Sequence, residues 1–73
     1  MNWSDMTPEQ RRATLQAMCN FGGSFVYRLA MAWICADAIN AAKLAEVFPE
    51  LIAEYGPGST FFEGVSAQQW VQA

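Results

Sequence analysis

The hydrophobic positions of this chain fall into three blocks with helical spacing. In the first, Leu15, Met18 and Cys19 mark one side, while Arg11, Arg12 and Gln16 lie elsewhere. Apolar residues recurring three and four apart define one face of a helix. Thr7-Pro8-Glu9-Gln10 supplies its start. Thr7 suits the N-cap, Pro8 the first turn where no amide partner is needed, and Gln10 the reciprocal position of a capping box. The pattern predicts a helix from Pro8 to about Cys19. Asn20, Gly22 and Gly23 end it, because they tolerate the left-handed backbone of a helix exit.

The second block, Phe25 to Ala36, holds one charge, Arg28, and no helix breaker. Phe25, Leu29, Trp33 and Ala36 recur at helical spacing, and Val26, Ala30 and Ile34 fill the neighbouring stripe. A helix apolar on nearly all sides is ordinarily buried on nearly all sides. This segment, capped by Ser24, is therefore expected to be the central helix. Asp37, with Asn40 three residues later, reads as a new N-cap and predicts a bend or break.

The third block runs through Ile39, Ala42, Leu44, Val47 and Phe48 to Pro49. Proline lacks the amide and crowds the preceding turn, so the helix either kinks or stops there. A stop followed by a short helix with Pro49 in its first turn is favoured, since Glu50 to Tyr55 forms one or two further amphipathic turns. Gly56-Pro57-Gly58-Ser59 signals a loop. Thr60-Phe61-Phe62 is expected to be extended at best, and Ser66 to cap a terminal turn with Trp70 and Val71. The expected fold is all-α, one domain over residues 1–73. It is a small bundle of three main helices, the third broken near Pro49, with a short C-terminal segment packed across.

Composition adds a constraint on surface. A chain of 73 residues buries only about 60% of its unfolded surface. Yet 53% of its residues are hydrophobic and 14% aromatic, which is not the composition of a disordered segment. Either a well-filled small core absorbs this apolar surface, or some is left for a second subunit, such as a homodimer, or another partner. The net charge is −3, and the bases are Arg11, Arg12, Arg28 and Lys43. That balance argues against direct nucleic-acid binding, which relies on clustered Lys and Arg. Arg28 and Asp37 interrupt the apolar run short of the roughly 18–20 residues that span a bilayer, so no membrane association is expected. Asp5 and Glu9 stand where a secretory leader needs a positive flank and an apolar core. The expected compartment is the cytoplasm, with Cys19 and Cys35 as reduced core thiols.

Little in the sequence points to catalysis. There is no histidine, the commonest general base and a common metal ligand. Two cysteines do not supply the usual four zinc ligands. The Gly56–Thr60 loop lacks the lysine that reaches phosphates in a P-loop. Gly22-Gly23-Ser24 at a helix start offers amides to an anion, but a turn plus a cap accounts for the same residues. No enzyme activity, metal or cofactor is expected.

Charge and aromatic placement give two candidate surfaces. Up to Lys43 the balance is +1; beyond it Glu46, Glu50, Glu54 and Glu63 stand without any base. Glu46, Glu50 and Glu54 share one face if the two helical pieces are collinear, and a break at Pro49 fans them out. Such a stripe suits a basic partner surface, with Tyr55 as an apolar anchor beside it; the bland alternative is a solvated helix face. Phe61, Phe62 and Trp70, near the end of the chain, are either interface anchors or a lid folded over the helices.

Phe21-Gly22-Gly23-Ser24-Phe25-Val26, Leu29-Ala30, Ala32-Trp33, Ala36-Asp37, Asn40, Leu44, Phe48-Pro49-Glu50 and Tyr55-Gly56-Pro57-Gly58 together resemble a pattern in small uncharacterised proteins of phages, prophages and plasmids. The resemblance covers about half of the chain, and its motifs are turns, caps and core. It implies mobile-element cargo expressed in the cytoplasm of a bacterium, of a kind that binds and modulates or inhibits a host protein. It carries over no catalytic residues.

Overall fold

The computed structural model describes residues 2–65, and among these there are helices and turns but no strand. A single 3-10 turn, Trp3–Asp5, leads into α1 (Pro8–Phe21), α2 (Ser24–Ile34), α3 (Ala38–Val47) and α4 (Pro49–Tyr55). One more helical segment occupies 60–65. The fold is the expected all-α bundle with its third helical region divided at Pro49. The predicted turn at Ser66, Trp70 and Val71 lies outside the described residues.

Two of the predicted starts hold in atomic detail. The Thr7 hydroxyl accepts from the Gln10 amide at 3.1 Å, and the Gln10 side-chain oxygen accepts from the Thr7 amide at 2.9 Å. Asp37 accepts from the Asn40 amide at 2.8 Å and opens α3. At Phe48 the backbone leaves helical geometry (φ −123°, ψ 56°), and Pro49 begins α4, where its missing amide costs nothing.

Three local expectations are corrected. The first helix continues past Cys19 through Asn20 to Phe21 and exits in extended rather than left-handed geometry, with Gly22 at φ −78°, ψ 160°. Gly22 is required for a different reason: a β-carbon there would collide with the Val26 side chain and lie 2.6 Å from the Met18 carbonyl oxygen. Ser24 is the first residue of α2, not its cap; Gly23 holds that position without a side-chain bond. Residues 60–62 are helical, not extended. Ser59 starts that segment, its hydroxyl accepting from the Phe62 amide at 3.1 Å. The left-handed backbone falls instead at Gly58 (φ +94°).

The core gathers around Met18, Trp33 and Val65, with Leu15, Leu51, Ile52 and Tyr55 beside them. The most extensive helix pair is α1 with α2, and α4 also packs on α1. Trp3 packs its ring 5.3 Å from that of Trp33. Arg11 holds it there: its Nε donates to the Trp3 carbonyl at 3.0 Å, and its guanidinium lies 5.3 Å from the Trp3 ring centre. One of four bases is thus spent on architecture.

The largest correction concerns the second block. Only Ala30 and Trp33 of α2 are buried, with Val26 and Leu29 half-buried. Phe25, Tyr27, Met31 and Ile34 are between 43% and 64% exposed. The helix is central in sequence but packs on one side only. A domain this small has too few elements to surround an 11-residue helix.

Candidate interaction surface

The outer face of α2 follows from where its inner face is pinned. Trp33 is 1% exposed and Ala30 wholly buried, which fixes the rotation of the helix. At 3.6 residues per turn, Tyr27, Met31 and Ile34 then align along one outer flank, spaced four and three apart. Phe25 emerges on the opposite flank, its ring 6.4 Å from that of Phe48 at the α3–α4 break. Arg28 lies between the flanks and is exposed, as is Cys35 at the helix end. Aromatic side chains present roughly 150–250 Å² each when fully open. Tyr27, Met31 and Ile34 therefore leave an apolar strip on the order of 300 Å² on one flank, at the low edge of the range for the largest patch of a monomer, and Phe25 adds a separate exposed ring on the other.

The glutamates expected to form one acidic stripe are fanned out by the break. Leu51, Ile52 and Tyr55 face inward from α4, which turns Glu50 and Glu54 outward, both exposed. Glu46 instead lines a cleft of about 350 Å³ with Trp3, Ala42, Ala45 and Pro49. An adjoining hollow of about 180 Å³ continues it over Ile52 and Ala53.

Tyr55 is corrected as an exposed anchor: it is 5% exposed. Its phenol is pushed above the ordinary tyrosine pKa by burial first and by the charge of Glu54 second. Phe61 sits between Phe21 and Tyr55, 5.1 Å from each ring in stacked geometry, and Phe62 is partly buried against the core. Both act as the lid that the aromatic pattern allowed. Trp70 lies outside the described residues.

Cys35 is exposed, contrary to its expected place in the core, and Cys19 is partly buried. Burial pushes the Cys19 thiol pKa up, which keeps it protonated and unreactive. Among the described residues, no group of three His, Cys, Asp or Glu side chains is arranged to hold a metal. No helix among them is long and apolar enough to cross a membrane.

Tyr27, Met31 and Ile34 were missed as surface residues, because continuous apolarity hid the stripe they form. The available signal was the spacing of Ser24, Tyr27, Met31 and Ile34, three, four and three apart. That is a second helical seam beside the one ending at Trp33.

Fold and surface together define a small all-α domain with a hydrophobic helix face that no described residue covers. Comparison with protein-family models, with curated proteins and with solved structures gives no match to this chain.

Proposed function

We propose that this chain is a protein-binding module and that the outer face of α2 is its recognition surface. The observation that carries this reading is the exposure of Phe25, Tyr27, Met31 and Ile34 on one short helix. Apolar surface left in water is unfavourable by about 25 cal/mol per Å², and covering it with another protein recovers that free energy. Aromatic residues and methionine are the types enriched at such interfaces. Arg28 amid the patch adds a charge that orients association more than it strengthens it. No catalytic role is assigned. That the partner is a bacterial host protein, modulated in the cytoplasm, rests on the sequence resemblance alone.

A second reading places a host partner at the Trp3 cleft. Glu46 and the Trp3 ring both line it, and a carboxylate beside an aromatic face suits a lysine or arginine side chain. Glu50 and Glu54 would then only speed association from outside the cleft.

Affinity capture with matched variants tests the two surfaces. Met31→Glu should lose the captured partner while keeping the parental circular dichroism, and Glu46→Gln should retain it. Loss with Glu46→Gln and retention with Met31→Glu would move the recognition site from α2 to the cleft.

A further inference from the structure

We propose that the occupant of the α2 face is a second copy of this chain, with the two α2 helices packed antiparallel about a two-fold axis. This rests on the reading of that face as the recognition surface and names its partner. Ser24, Tyr27, Met31 and Ile34 repeat at three, four and three residues, the alternation by which one helix seats side chains between those of another. Among the described residues no helix covers the seam, since Tyr27, Met31 and Ile34 are all exposed.

The charges select a second copy and its direction. Arg28 is the one charge within α2, and Asp37 follows just beyond its end. A two-fold interface brings the same patch of each copy together, so every contact occurs twice. Centred between Tyr27 and Ile34, antiparallel pairing sets Tyr27 of one copy opposite Ile34 of the other, with the two Met31 side chains beside the axis. Arg28 then lies about one helical turn from Asp37 of the second copy, near the carbonyl end of its α2. Both features attract a cation there. Parallel pairing instead sets the two Arg28 side chains level with each other and leaves both Asp37 carboxylates at the same end. The glutamates on α3 and α4 stay outside the interface, so the net charge of −3 does not act at close range across it.

The area sets the expected strength. An apolar strip on the order of 300 Å² from each copy buries roughly 600 Å² in total, below the range of stable, specific interfaces. The dimer is therefore expected to dissociate on dilution rather than to be obligate.

Sedimentation equilibrium of the full chain across a hundredfold concentration range tests this. The mass should rise from the 8.1 kDa of one chain toward twice that value. Met31→Glu should hold it at the monomer mass throughout, with unchanged circular dichroism. In a Cys19→Ser background, mild oxidation of the dimer should give no Cys35–Cys35 disulfide. Antiparallel pairing sets the two Cys35 backbones about 13 Å apart along the axis, beyond the roughly 7 Å limit for bridging. Rapid Cys35 cross-linking would overturn the antiparallel arrangement. A parent monomeric at every concentration would overturn self-pairing, while leaving α2 open to a different protein. A dimer that survives Met31→Glu would overturn self-pairing through α2, and the loss or retention of a captured partner by Met31→Glu decides the recognition surface separately.

Discussion

Helices α1 and α2 pack against each other, yet the less hydrophobic of the two is the better buried. Along α1 the inner side carries Ala13, Thr14, Leu15, Ala17 and Met18, all buried, and the outer side carries Arg12, Gln16 and Asn20. Along α2 only Ala30 and Trp33 are buried, and the outer side carries Phe25, Tyr27, Met31 and Ile34. Burial here follows the supply of neighbours rather than apolar content. Both α2 and α4 pack on α1, whereas α2 has α1 and α3 against it and, among the described residues, nothing over its outer face. Even a hydroxyl is accommodated in α1: Thr14 is fully buried because it donates to the Gln10 carbonyl at 2.8 Å, satisfying the group without water. The excess of apolar residues on α2 is surface chemistry.

Substitutions on the two helices sharpen that contrast. The largest effect is expected at Trp33, the inward anchor of α2. Trp33→Ala should cost about 3–5 kcal/mol, read from urea unfolding, even though the indole N–H has no partner among the described residues. An unchanged midpoint would mean that α2 is not held through this residue at all.

Methionine gives a matched pair. Met18 on α1 is 0% exposed and Met31 on α2 is 43% exposed. Met18→Ala should cost about 2–5 kcal/mol. Met31→Ala, measured at concentrations low enough for monomer, should stay within about 0.5 kcal/mol. Equal losses at the two positions would erase the distinction between the helices.

At the junction of the two helices, Gly22→Ala should destabilise by about 1–3 kcal/mol, because its new methyl meets Val26 and the Met18 carbonyl. Thr7→Ala should cost about 1 kcal/mol through the lost cap at the start of α1. Gly23→Ala has open space for its β-carbon and should change stability least of the three. Thermal unfolding of the three variants side by side gives the order.

How much of this was legible in the sequence depended on whether a local rule sufficed. Capping is local, so Thr7-Pro8-Glu9-Gln10 and Asp37 with Asn40 could be read directly, as could the restart at Pro49. The helix at 60–65 could not, because Phe61 is held by Phe21, far back in the chain, and by Tyr55 across the Gly56–Ser59 turn. The same limit applies to the candidate site. Periodicity located an apolar helix, but which of its faces lacked a neighbour depended on the number and placement of the other elements. Tyr55 shows the converse: it looked available beside Glu54, and the packing of Phe61 closed it.

The smallest expected effect is on pH dependence. Burial raises the Tyr55 pKa in the folded protein, so the unfolded chain loses that proton first. The protonated phenol's contribution is intact below the ordinary tyrosine value of about 10. It falls as pH rises from there to the folded-state value. Thermal midpoints between pH 9 and 12 should decline, and Tyr55→Phe should make the decline shallower. An identical decline in both proteins would remove Tyr55 as a cause.

The contrast between the helices, and the proposed covering of one of them by a second chain, meet in one quantity: the rate at which Met31 is oxidised by peroxide as protein concentration is raised. Residue-resolved mass spectrometry reads it, with Met18 in the same molecule as the buried standard, since oxidation follows access to the sulfur. In dilute protein Met31 should oxidise many times faster than Met18, and raising the concentration should slow Met31 several-fold while leaving Met18 unchanged. Slow oxidation of both in dilute protein would contradict an exposed α2 face. Fast oxidation of Met31 at every concentration would contradict its covering by a second copy.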